Sequence, residues 1–233
     1  MTKIGMIVAV ETHAIFERYQ NIETIDAPNG FELFLHRDEN FELYIMHCGM
    51  GTINAASGTQ LLIDKCNVDV IVDFGVVGGL TDAMKVQKIV VIDRIVHYRY
   101  DASEFMNLKI GQLPEHDDIF IYTNQRLVKE VIKHDNTIAK ATIASGDKFV
   151  AKPEDKKYIH DTFDADVCDM EAIGIALTCE ANNVPCLLIK AVSDSIQGGA
   201  EEFWKEINEV SLYCLDITID IIDDLYNKKR LSL

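Results

Sequence analysis

The sequence predicts an α/β fold: a central, largely parallel sheet with helices on both faces. Three observations carry this. Apolar runs rich in β-branched residues recur along the 233-residue chain, helical patterns lie between and after them, and several runs lack polar alternation. An apolar run without alternation is the mark of a strand buried on both faces, and strands that alternate with helices imply a covered parallel sheet.

The elements follow in order. Strands are expected at residues 3–10, 42–48, 68–74, 88–97 and 184–192. A helix is expected at 52–65, where small and apolar residues recur at helical spacing. A second helix spans 171–182, running through Ala172, Ile175, Ala176 and Cys179 to an Asn-Asn stop. A third spans 203–226, with apolar residues at 203, 207, 210, 214, 217, 221 and 225, a stripe with the 3.6-residue period. The length suits one domain, 1–233, with a full core.

Composition narrows the function. The formal net charge of −16 repels polyanions, so neither nucleic acid nor an anionic membrane is an expected partner. No apolar run reaches the ~20 residues of a membrane span, and the first residues read as a strand rather than a signal peptide. The six cysteines form no C-x-x-C pair and sit in or beside apolar runs, which points to reduced, buried thiols and a cytoplasmic protein. The seven histidines are scattered without ligand spacing, so no metal and no cofactor are expected.

Ligands of such sheets bind at the carboxyl ends of strands. Five segments fall there. Glu11-Thr12-His13 follows the first strand. Cys48-Gly49-Met50-Gly51-Thr52 joins a strand to a helix through bare backbone, and Gly75-Val76-Val77-Gly78-Gly79 ends another strand in a glycine-rich run. Asp169-Met170-Glu171-Ala172 opens a helix with two carboxylates, which capping alone could explain. Lys190-Ala191-Val192-Ser193-Asp194 places a lysine inside a buried strand, where it needs a partner, and closes on Ser-Asp, equally readable as a turn.

Taken together with Gly111-Gln112-Leu113-Pro114 and Ser145-Gly146-Asp147-Lys148-Phe149, these segments resemble the bacterial 5′-methylthioadenosine/S-adenosylhomocysteine nucleosidases over nearly the whole chain. The resemblance implies a three-layer αβα sandwich of the phosphorylase/hydrolase-like type with a central mixed, largely parallel sheet, and a homodimer. It implies hydrolysis of the N-glycosidic bond of a small-molecule purine nucleoside, with methionine salvage as context. Asp194 would serve purine N7 as the acid, with Ser193 beside it. Phe149 would stack on the base and the Val150 backbone would read its edge. Glu171 would accept from the ribose hydroxyls with Met170 against the sugar, Gly78 would lie in the glycine-rich cradle, and Pro114 would line the 5′ pocket of the neighbouring subunit.

Four departures stand out. The water-activating position of the family falls on His13, and Glu11 could replace it only with a shift of the backbone. Val76 stands where a hydroxyl is usual, Lys190 stands for an arginine, and residues 195–200 lack an aromatic residue. The same residues also fit a nucleosidase for another purine nucleoside, a phosphorylase, or a catalytically weak nucleoside-binding protein.

Overall fold

The computed structural model describes residues 1–20, 22–28 and 30–227. The first half of the chain forms β1 (Thr2–Val8), α1 (Thr12–Arg18), β2 (Glu23–Ile25), β3 (Glu32–Arg37), β4 (Phe41–His47) and α2 (Thr52–Leu61). Then come β5 (Val70–Gly79), β6 (Ile89–His97), α3 (Ser103–Met106), β7 (Phe120–Tyr122) and α4 (Gln125–His134). The remainder is β8 (Ala139–Ser145), α5 (Pro153–Phe163), β9 (Val167–Asp169), α6 (Ala172–Asn182), β10 (Cys186–Asp194) and α7 (Ala200–Ile222). A π-helical turn, Leu62–Cys66, prolongs α2, and another, Asp223–Asn227, follows α7.

Local chemistry explains several boundaries. The Asn124 side chain accepts from the amides of Arg126 and Leu127 and so caps α4. Pro153 opens α5 with Glu154 and Asp155 in its first turn, where the helix dipole favours acids. Asn183 stops α6 in the left-handed region at φ 55°, as the Asn-Asn pair suggested.

Two strands run further than their apolar stretches. β5 continues through the glycines because Val76, Val77 and Gly78 still pair with β10, and Gly78 and Gly79 pair with β9. β10 continues to Asp194, opposite Gly78, so Ser193-Asp194 is the end of a strand and not a turn.

The α/β class is as expected, and the sheet is mixed. Parallel pairings join β1 to β4 and β5, β5 to β10, β6 to β8 and β8 to β9. The sheet is nevertheless not a plain open layer. β10 pairs in parallel with β5 and antiparallel with β6, and the path β6–β8–β9–β5 returns to it, so five strands close into a ring. From β5 an open wing extends through β1, β4, β3 and β2.

The two faces bury separate cores. Ile4, Met6 and Val8 of β1 pack with apolar residues of α1, α4 and α7, whereas Ile7 packs with those of α2 and α6. This is the period-2 alternation of a strand with both faces covered. All six cysteines are buried and unbridged. Among the described residues no helix is long and apolar enough to cross a membrane.

Candidate active site

The ends of β1, β5, β9 and β10 converge on a cleft of about 550 Å³ that is open to solvent at its mouth. Its charged lining is strongly one-sided: Glu11, Asp169, Glu171 and Asp194 against the single cation Lys148. Lys148 is itself paired with Asp155 at 2.8 Å.

Glu11 reaches the cleft because of where β1 stops. It occupies the N-cap position of α1 with φ −89° and ψ 22°, and its side chain folds back instead of capping the helix. One carboxylate oxygen accepts from the Val10 amide at 2.9 Å and the other from the Val76 amide at 3.0 Å. Val76 has no polar side chain, yet its backbone N–H supplies a donor. A Cβ at Gly75 would lie 2.8 Å from Glu11 Oε1 and 3.3 Å from Lys190 Nζ, so a side chain there would displace the Glu11 carboxylate.

Lys190 lies beneath the cleft, 3 % exposed. Its ammonium sits 2.6 Å from Asp73 Oδ2 on β5 and 3.5 Å from Asp169 Oδ2. Burial alone would lower its pKa, but Asp73, Asp169 and Glu11 outweigh that and hold it protonated. The buried lysine legible in the sequence therefore serves as a counter-ion to a nest of carboxylates.

On the opposite wall Asp169 accepts from the Ala172 amide at the start of α6. Glu171 accepts from the Gly51 amide at 2.7 Å and from the Met170 amide at 3.1 Å. Gly51 has φ 100°, a conformation that glycine adopts without strain, and this aims its N–H at Glu171. Burial, with the charge of Asp169 adding to it, pushes the Glu171 carboxyl up to about 8.

Asp194 closes β10 and is 1 % exposed. Its Oδ1 accepts from the Ser193 hydroxyl at 3.0 Å, and its Oδ2 lies 2.5 Å from Lys156 Nζ. Burial raises its pKa and Lys156 opposes the rise. At the mouth, Phe149 stacks edge-on against Phe203 of α7, with ring centroids 5.3 Å apart.

Eight residues singled out from the sequence thus line one cleft: Val76, Gly78, Phe149, Val150, Met170, Glu171, Ser193 and Asp194. Three do not. Lys190 is the buried counter-ion below it. His13 lies in the first turn of α1 with its ring 3.3 Å from the Asn208 carbonyl of α7, and Glu11 faces the cleft in its stead. Pro114 is exposed in the segment between α3 and β7. Sequence reasoning passed over Phe203, which sits on the apolar stripe of α7, and Lys156. Among the described residues no group of three His, Cys, Asp or Glu side chains is arranged to hold a metal ion.

Known proteins share this architecture. The family model described as Phosphorylase superfamily matches residues 3–216. The 5′-methylthioadenosine/S-adenosylhomocysteine nucleosidase of Desulfotalea psychrophila is 28 % identical over 96 % of this chain and 98 % of its own. That of Staphylococcus aureus strain JH9 is 32 % identical over 78 % of this chain and 81 % of its own. Among solved structures, the Helicobacter pylori nucleosidase of the same name with butyl-thio-DADMe-Immucillin-A gives a TM-score of 0.90 at 26 % identity, covering 97 % of this chain and 99 % of that one. Futalosine hydrolase of Helicobacter pylori strain 26695 gives 0.88 at 26 % identity, covering 96 % and 98 %.

Proposed function

The chain belongs to the phosphorylase superfamily, and from that premise we propose that it hydrolyses 5′-methylthioadenosine or S-adenosylhomocysteine to adenine and the thioribose. The observation that carries the reading is the one-sided charge of the cleft: an acid at the end of β10 faces carboxylates from β1 and the β9–α6 junction.

Breaking the C1′–N9 bond builds positive charge on the ribose and negative charge on the departing base. Asp194 neutralises the second by giving a proton or hydrogen bond to N7, and the carboxylates on the sugar side offset the first. Glu171 accepts from the ribose hydroxyls with Met170 against the sugar. Phe149 stacks on the purine and the Val150 backbone reads its edge. Glu11 takes the water-activating role that the family resemblance put on His13, since Glu11 lines the cleft and His13 points to α7.

The same charge favours water over phosphate as the nucleophile. The acidic lining offers an incoming phosphate no cation that is not already paired.

A second copy of the chain completes the site in this reading. Met50 at the cleft, Ile53, Phe105, Met106 and Ile110 are exposed apolar residues that a homodimer would cover, and Pro114 lies in the same stretch as the last three. We take residues 1–233 as one domain, its two helix layers and sheet as a three-layer αβα sandwich whose middle layer contains the ring, and its unbridged thiols as fitting the cytoplasm.

The test is adenine release from 5′-methylthioadenosine, S-adenosylhomocysteine and adenosine, each with and without phosphate. Phosphate-independent release that is lost in Asp194→Asn supports the reading. Phosphate-dependent release makes the protein a phosphorylase. Absence of release on all three directs attention to other purine nucleosides, the futalosine type included.

A further inference from the structure

Lys156 has no place in the mechanism above, yet its side chain is fully buried. It belongs to α5, where Lys156, Ile159 and Phe163 form the buried face at i, i+3 and i+7. Its ammonium lies 2.5 Å from Asp194 Oδ2 and donates to the Ser195 carbonyl at 2.6 Å. It does not line the cleft, so it stands behind the acid and touches no substrate.

Stability gives poor grounds for such a residue. Removing two charges from water is costly, and replacing a buried ion pair with apolar groups is often neutral or stabilising. At a position whose helical neighbours are Ile159 and Phe163, a hydrocarbon side chain would fill the space without that cost. The pair therefore asks for a functional account.

We propose that Lys156 is a positioning residue for the reaction acid: it fixes the plane of the Asp194 carboxyl and sets how readily that group gives up its proton. This rests on the nucleosidase reading. Two donors hold the carboxyl, Lys156 at Oδ2 and the Ser193 hydroxyl at Oδ1, so it cannot rotate away from the base. The charged or titratable groups that act on Asp194 are Lys156 from α5, Glu202 from α7 and Cys168 from β9. Burial, with Glu202 adding to it, favours the protonated acid, and Lys156 is the cation that opposes them. Lys156 is also tied to the base site by sequence: it lies seven positions after Phe149, and the segment between them leads directly into α5.

The consequence is a pH signature. An opposite charge within ~4–6 Å lowers a carboxyl pKa by about one to three units. Without Lys156, Asp194 stays protonated to higher pH, so the alkaline limb of kcat/KM moves up.

The experiment measures kcat/KM for adenine release from 5′-methylthioadenosine against pH in the wild type, Lys156→Met, Lys156→Gln and Lys156→Arg. Glutamine, one atom shorter, keeps a donor but not the charge, which guards against a methionine variant that fails to fold. The alkaline limb is expected to rise by at least about one pH unit in the neutral variants and to return to the wild-type position in arginine. A limb that stays within about 0.3 pH units of wild type in both neutral variants overturns the proposal. A pH titration of the carboxylic-acid infrared band that Asp194→Asn removes gives a second readout without turnover. It keeps a failure of this inference distinct from a failure of the nucleosidase reading, which would appear as an inactive wild type.

Discussion

Replacing Lys190 with methionine removes the cation from the carboxylate nest under the cleft while keeping most of its aliphatic stem. The ammonium is 2.6 Å from Asp73 Oδ2 and 3.5 Å from Asp169 Oδ2, and both side chains are almost wholly buried. Breaking such a pair from one side leaves an uncompensated buried charge and costs about 3–5 kcal/mol. That is a large share of a typical stability of roughly 5–15 kcal/mol. Acid should relieve it, because Asp73, already pushed up by burial, can take a proton once its partner is gone. Urea unfolding at pH 7.5 and pH 5.0, conditions of roughly mild alkali and mild acid about the range where such carboxyls titrate, would then show a larger loss at the higher pH. The double variant with Asp73→Asn should recover much of the loss at both. A penalty below about 1 kcal/mol at the higher pH would refute the reasoning and would mean that water reaches the nest and screens it.

Two further outcomes follow from the same geometry. Glu11→Gln should lower kcat for nucleoside hydrolysis by about 10²–10⁴, the contribution usual for a general base, and His13→Ala should leave it within about threefold. The opposite pattern returns the base to His13. For Glu171, the folded pKa of about 8 lies above the ordinary value of 4.5, so its contribution to stability is complete below the ordinary value and lost as pH rises through about 8. Thermal unfolding of the free protein should therefore occur at lower temperature as the pH climbs from mildly acid to mildly alkaline, and Glu171→Gln should flatten that slope.

Much of this was legible in the sequence. Unbroken apolar runs located β1, β4, β5, β6 and β10, because strands buried on both faces have no polar phase to hide them. The strand-end rule brought Glu171 and Asp194 to notice, the family resemblance brought Phe149, and all three line one cleft. Short strands were missed, among them β7 and β9 with three residues each, since their existence depends on partners far away in sequence. Ring closure was invisible for the same reason: nothing local to residues 186–194 or 89–97 says that those strands pair antiparallel.

The exchange of His13 for Glu11 has a different cause. Where β1 gives way to α1 the backbone leaves both regular periods, and a step of two positions turns the side chain from the cleft at Glu11 to the Asn208 carbonyl at His13. Lys156 was hidden by its surroundings, because Pro-Glu-Asp-Lys-Lys-Tyr reads as a solvated first turn. The one available signal was its helical phase with Ile159 and Phe163.

The closed ring bears on how the protein admits a ligand. A strand at the border of an open sheet can peel back by breaking one ladder, but β10 is hydrogen-bonded to β6 through Ile189–Ala191 and to β5 along its length, so its middle cannot breathe without opening two. The acid it carries thus stands three residues beyond a stretch held on both sides. Whatever gives way for entry and exit must do so above it, where Met50 and Phe149 reach solvent and Phe203 leans on Phe149. The molecule divides the labour as a vice does, with one jaw fixed to the bench and the other free to travel.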